Sequence, residues 1–148
     1  MPRYSFVLAV AFVLTACSGE KSATKATAPS APSAPSAAVA AGPQTPDSGG
    51  KVVTVELYSD ANGNYFKPSE IHVKRGDVVR YTLKVGAHNV HFLADSNPGK
   101  SGYPQTPSDV LQLPGQTYDV LVHMAPGTYY FQCDPHAALG MKGHLVVE

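Results

Sequence analysis

Charge of either sign is scarce in this chain: Lys and Arg number 11 and Asp and Glu 11 among 148 residues. Between Lys51 and Glu148 the counts are eight and nine. No basic stripe is present to hold nucleic acid, and no acidic run makes a polyanionic surface. Long apolar runs are also missing. The longest, near Tyr4–Leu14, falls short of the roughly 20 residues a finished membrane helix needs. No segment after Lys51 keeps a 3.6-residue apolar period, which argues against a helical domain. Neither a nucleophile–base set nor a phosphate loop is visible, so the chain does not read as an enzyme. Cysteine is nearly absent, with Cys17 and Cys133 alone. Only Cys133 lies in the C-terminal part, where it cannot close an internal disulfide, and a metal is one good reason to keep it.

What is present divides the chain into three. Residues 1–16 read as a signal peptide, with a basic start at Arg3 and an apolar stretch of signal-peptide length. Leu14-Thr15-Ala16-Cys17 resembles the bacterial lipobox. That resemblance implies that Cys17 becomes the mature N-terminus and carries acyl chains. Each buried CH₂ adds about 0.8 kcal/mol of membrane affinity, so several chains anchor durably. Residues 17–50 form the lipidated cysteine and an Ala/Pro/Ser-rich linker. Ala28-Pro29-Ser30-Ala31-Pro32-Ser33 is a near repeat without large side chains, expected to stay disordered as a tether. Residues 51–148 are expected to be one folded domain of ordinary small size. Export also implies an oxidising setting.

That domain is expected to be all-β, with six to eight short strands in a sandwich or small barrel. Val53, Val55 and Leu57 alternate with polar residues. So do Val79, Tyr81, Leu83 and Val85; Tyr118, Val120 and Val122; and Tyr129, Phe131 and Cys133. Ile71 and Val73 flank His72, and Leu145 and Val147 end the chain. Asn62-Gly63-Asn64, Arg75-Gly76-Asp77, Pro114-Gly115 and Pro126-Gly127 mark turns. Residues 94–110 are the least regular stretch and read as a long connection.

Chemistry concentrates in Cys133-Asp134-Pro135-His136-Ala137-Ala138-Leu139-Gly140-Met141. Thiolate, imidazole and thioether fall within nine residues, and His88 lies in Gly86-Ala87-His88-Asn89-Val90 upstream. Soft sulfur with imidazole suits copper, and two His, one Cys and a weak axial Met is the blue-copper arrangement. Pro135 cannot continue a strand ladder, so the chain must turn after Cys133. Gly140 and Gly143 are expected to permit the tight bends that return Met141 to the same point.

With His88-Asn89-Val90 and Phe92, Pro126-Gly127-Thr128-Tyr129, Tyr130 through His136, and Gly140-Met141-Lys142-Gly143, the sequence resembles a plastocyanin-type cupredoxin from about Lys51 to Glu148. The resemblance implies a Greek-key β-sandwich or barrel holding one type 1 copper ion on His88, Cys133, His136 and Met141. Asn89 would tie the His88 loop to the Cys133 loop. His136 would be the partly exposed ligand through which electrons leave. Gly86, Pro135, Ala137, Ala138 and Leu139 would form an apolar docking rim, with Lys142 a possible rim charge. Plastocyanins carry a tyrosine before the ligand cysteine, whereas Gln132 stands here, and their acidic patches are not evident.

The resemblance thus implies a one-electron carrier cycling Cu(I)/Cu(II) in a bacterial cell envelope, monomeric and anchored through Cys17. Its partners would be a redox protein such as a c-type cytochrome, an oxidase or a reductase. The alternative is a copper chaperone or resistance protein, which usually needs Met-rich or His-rich sites; only Met124 and Met141 lie in the domain. Multicopper catalysis would need histidines flanking Cys133, where Gln132 and Asp134 stand instead. His72, His91, His123 and His144 are not needed by the copper site and read as solvated strand-face residues, and Met124 and Tyr130 as packing.

Overall fold

In a computed structural model, residues 43–148 are described. The signal peptide, Cys17 and most of the Ala/Pro/Ser-rich segment lie outside the described residues. Seven strands form two mixed sheets. One sheet has the order β2 (Gly63–Lys67), β1 (Val52–Asp60), β4 (Val78–Leu83), β5 (Thr117–Leu121). The other has the order β3 (Glu70–Val73), β7 (Lys142–Val147), β6 (Gly127–Gln132). Strands β1 and β4 pair in parallel, as do β3 and β7, and the remaining pairs are antiparallel.

The alternating residues meet as expected. Val55, Leu57, Val79, Tyr81, Leu83, Tyr118, Val120, Val122, Tyr129, Phe131, Leu145 and Val147 are buried in one cluster. Phe131 is its hub. Its ring meets Phe66 edge-on at 4.9 Å and Tyr81 at 5.4 Å, and Phe92 tilts against it at 5.5 Å. Gly143 belongs to this packing and not to a bend. It lies within β7, where a Cβ would come 2.3 Å from Phe131 Cζ.

One strand-face expectation is also corrected. Val85 does not share the face of Leu83 and is 48% exposed. Strand β4 stops at Leu83, and the N–H groups of Lys84 and Val85 both donate to the Leu57 carbonyl. Two residues opposite one reverse the alternation, as a bulge does. Ordered contacts also begin before Lys51. The Gln44 N–H donates to Asp119 Oδ2 at 2.7 Å, and the Asp47 N–H to the Gly76 carbonyl at 2.9 Å. These are polar attachments with no apolar period, so pattern reading passes over them.

The long connection from 94 to 110 contains only a short 3₁₀ helix, Ala94–Ser96, among regular elements. Asn97, buried within it, donates to the Leu93 and Tyr130 carbonyls and accepts the Tyr130 N–H. This one amide side chain fastens the connection to β6. Lys100 adds a hydrogen bond to the Thr128 carbonyl.

Candidate metal centre

Strand β6 delivers Cys133 at its end. A 3₁₀ helix, Asp134–Leu139, follows with Pro135 in its first turn, and its C-cap is Gly140 at φ 94°. That left-handed conformation suits glycine and turns the chain so that Met141 returns beside Cys133. The Cys133 N–H donates to the Met141 carbonyl and the Met141 N–H to the His136 carbonyl, both at 3.1 Å. His88 comes from the other sheet's side, after β4, on a single bridge to Leu111.

The side chains converge. Cys133 Sγ lies 3.6 Å from His88 Nδ1 and 3.4 Å from His136 Nδ1, and the two Nδ1 atoms are 3.1 Å apart. Among the described residues these three form a group able to hold a metal ion. Bonds of about 2.0–2.3 Å from a d-block ion to imidazole and thiolate place such atoms roughly 3.5 Å apart around one centre. The donor set therefore fits a trigonal thiolate–imidazole site, the pattern copper electron-transfer centres use. Met141 is buried in the hydrophobic core together with Cys133.

Burial shapes the donors. Cys133 is wholly buried, and this pushes its thiol pKa up; backbone hydrogen bonds from Asn89 and His136 partly oppose the rise. A thiolate there needs a cation beside it. Burial also pushes the His88 imidazole down, against the Val85 carbonyl that favours its charged form, with His136 adding to the fall. A neutral imidazole with a free lone pair is what a metal binds. The Val85 carbonyl lies 3.1 Å from His88 Nε2.

Asn89 is buried and does tie the two loops. Its Nδ2 donates to Asp134 Oδ2 at 2.9 Å, and its Oδ1 accepts the Asp134 N–H at 2.8 Å. His136 is half-buried; of the residues expected at the rim, Gly86, Pro135, Ala138 and Leu139 are exposed and Ala137 is half-buried. Leu139, 68% exposed, is the most open large apolar side chain among the described residues.

Sequence reasoning missed Asp134 and His91. The Asp134 carboxylate accepts from Asn89 and from Gln132 Nε2, and lies 3.0 Å from His91 Nδ1. Burial pushes this carboxyl up, but the hydrogen bonds from Gln132, Asn89 and His91 outweigh it and hold the group below its ordinary value. His91 was expected as a solvated strand-face residue turned away from His88, yet it is half-buried against the Cys133 loop. The alternation rule fails because no continuous strand joins the two; each makes an isolated bridge, His88 to Leu111 and His91 to Gln132. The signal available was a carboxylate directly after the thiol. His72, His123 and His144 are exposed as expected. Met124 is buried packing, and the Tyr130 hydroxyl donates to Gln132.

The family model for copper binding proteins, plastocyanin/azurin family, matches residues 53–148. Plastocyanin of Scenedesmus fuscus is 36% identical over 98 residues, covering 65% of this chain and 99% of that protein. Chloroplastic plastocyanin of Hordeum vulgare is 35% identical over 103 residues, covering 67% of this chain and 66% of that one. Among solved structures, oxidised plastocyanin from Dryopteris crassirhizoma matches at TM-score 0.52 and 30% identity, covering 65% of this chain and all of that one. A reduced amicyanin variant matches at 0.52 and 28% identity, covering 66% of this chain and 82% of that one. The geometry of His88, Cys133 and His136 and the match over the whole described sandwich agree: the chain belongs to the copper-binding plastocyanin/azurin family.

Proposed function

We propose that this blue-copper electron carrier works in a bacterial cell envelope, tethered by acyl chains on Cys17, and exchanges electrons through His136 with a redox protein. A c-type cytochrome, an oxidase or a reductase would be such a partner. The observation that carries the reading is the triangle of Cys133 Sγ, His88 Nδ1 and His136 Nδ1, with edges of 3.1–3.6 Å. Copper bound there supplies a one-electron Cu(I)/Cu(II) couple.

The chain's own residues do the rest. Cys133 and His88 are fully buried and keep water from the donor atoms. Met141, buried in the core with Cys133, would be the further, weak sulfur donor. Asn89 holds the two loops at fixed spacing through its paired bonds with Asp134. A frame that does not rearrange keeps the cost of changing the ion's charge low. His136, half-buried, is the side chain a docked partner would meet, with Pro135, Ala138, Leu139 and Gly86 the proposed rim. With Gln132 before the thiol, His136 is the single proposed exit. A monomer without catalytic activity completes the proposed reading. No helix of the described residues is long and apolar enough to cross a membrane. The proposed attachment, the lipid on Cys17, rests on the lipobox-like Leu14-Thr15-Ala16-Cys17.

A visible spectrum of the copper-loaded protein tests this. Strong blue colour when oxidised, bleached by mild reductant, is the expected outcome, and a colourless oxidised protein overturns it in favour of copper storage or delivery. Cys133→Ser removes the band entirely. Met141→Leu keeps the colour and raises the potential. Replacing Cys17 with Ala moves the protein from the membrane to the soluble fraction.

A further inference from the structure

His88 binds through Nδ1 only if Nε2 carries the proton, and the β1–β2 hairpin supplies an unassigned group at Nε2. Ser59 Oγ lies 3.1 Å from that nitrogen, the same distance as the Val85 carbonyl. The Ser59 hydroxyl has one hydrogen, and it donates to Asn64 Oδ1 at 2.5 Å. A hydroxyl has one donor and two lone pairs. With its hydrogen given to Asn64, Ser59 meets His88 as an acceptor. Both neighbours of Nε2 therefore accept, which fixes the proton there and leaves the Nδ1 lone pair facing Cys133 and His136.

The backbone is built around this contact. The Ser59 N–H donates to the same Val85 carbonyl at 2.9 Å. Gly86 passes over both side chains at φ 103°, and a Cβ there would come 2.6 Å from Ser59 Oγ and 2.7 Å from His88 Nε2. Gly86, expected only as rim, thus makes room for the pair. Asn64 sits opposite Ser59 in the β1–β2 register, at the end of the Asn62-Gly63-Asn64 turn. The hairpin tip is in this way connected to a ligand that lies 29 residues beyond Ser59 in the chain.

We propose that Ser59, held by Asn64, is a positioning residue for His88, sharing the Nε2 proton with the Val85 carbonyl and setting how strongly Nδ1 donates to copper. The proposal rests on the copper reading of the site. A partner that accepts a ligand imidazole's proton fixes its tautomer and raises its basicity. Added basicity favours Cu(II) over Cu(I) and lowers the reduction potential.

The test is Ser59→Ala and, separately, Asn64→Ala, each measured by equilibrium redox titration with copper and by NMR of the His88 imidazole without it. In Ser59→Ala the Val85 carbonyl still accepts, so the Cu(II) preference falls about threefold. That is an upward shift of roughly 30 mV at 59 mV per tenfold for one electron. Asn64→Ala shifts it the same way by less. In the metal-free protein, exchange of the Nε2 proton with water quickens in both variants. An unchanged potential with unchanged proton exchange overturns the proposal, even if the melting temperature falls, because a structural role alone would move only the latter. Should the wild-type protein fail to turn blue, the copper reading fails instead, and the imidazole exchange still decides the role of Ser59.

Discussion

Two carboxylates organise polar contacts in this domain, and they are held in opposite ways. The Asp119 side chain, wholly buried, faces a full charge: Arg80 donates from Nε at 2.9 Å and from Nη2 at 2.7 Å. The backbone N–H of Gln44 completes it at 2.7 Å. Asp134, about a third exposed, faces the amides of Asn89 and Gln132 and the imidazole of His91. The first network joins chain to chain, fastening residues before β1 across β4 and β5. The second joins the His88 loop to the Cys133 loop. A bidentate guanidinium gives strength and direction. Amides give position without placing a full positive charge beside the thiol. The difference teaches that the domain separates what keeps it folded from what keeps its donor atoms in register.

That separation breaks most visibly under a paired substitution. Asp119→Ala is expected to cost about 2–3 kcal/mol, below the range for a fully buried pair because Arg80 keeps partial contact with water. The blue band of the copper-loaded protein should stay unchanged. Asn89→Ala is expected to do the reverse. Its stability loss should be nearer about 1 kcal/mol, while copper binding weakens by roughly tenfold or more, as for other groups that orient metal ligands. Urea midpoints and copper competition titrations on the two variants give four values. If Asp119→Ala shifts the spectrum as much as Asn89→Ala, the two networks are one.

The copper end was the more legible of the two in the sequence. A thiol, an imidazole and a thioether at close spacing, with His88-Asn89 upstream, are residue types that few other roles bring together. Strand alternation placed Leu57, Tyr81, Phe131 and Leu145 inside the core, because a period of two is all a half-buried strand requires. What stayed hidden depends on contacts distant in sequence. Asp119 alternates with buried residues like any surface aspartate, and only Arg80 opposite and Gln44 above it show why it is inside. His91 was misjudged for want of a strand. Val85 was misjudged because one bulge reverses the pattern without a residue to announce it.

Tyr81 lies in the core between the networks and belongs to neither. Its hydroxyl is buried without a hydrogen-bond partner, the one such side-chain atom among the described residues. Its ring contacts Phe66, Phe131 and Tyr118. A buried hydroxyl with no partner keeps a desolvation cost of about 1–3 kcal/mol. Tyr81→Phe removes that cost and leaves the ring packing in place, so it is expected to stabilise the domain by about 1 kcal/mol. The urea midpoint should rise while spectrum and potential stay fixed. A destabilised variant would mean that the hydroxyl has a partner in solution and is part of one of the two networks.

The smallest effect concerns an imidazole outside both. His72 on β3 has Glu148 at 3.1 Å on Nδ1 and Glu70 at 3.3 Å on Nε2, all three exposed. The hydrogen bonds it donates to Glu148 and then Glu70 raise its pKa above the ordinary 6.5, against an opposing desolvation effect. A raised folded pKa means that the charged form stabilises the fold. Its contribution is complete below the unfolded value and disappears as pH rises through the folded one. Stability measured between about pH 5 and pH 8 should therefore fall slightly with rising pH, and His72→Gln should remove that part of the slope. High salt should flatten the wild-type slope as well, because both carboxylates face water. His91 meets its carboxylate at a similar distance, but beside the thiol. A His91→Gln variant that changes the potential, where His72→Gln does not, would show that location relative to Cys133, and not contact with a carboxylate itself, decides which contacts reach the copper.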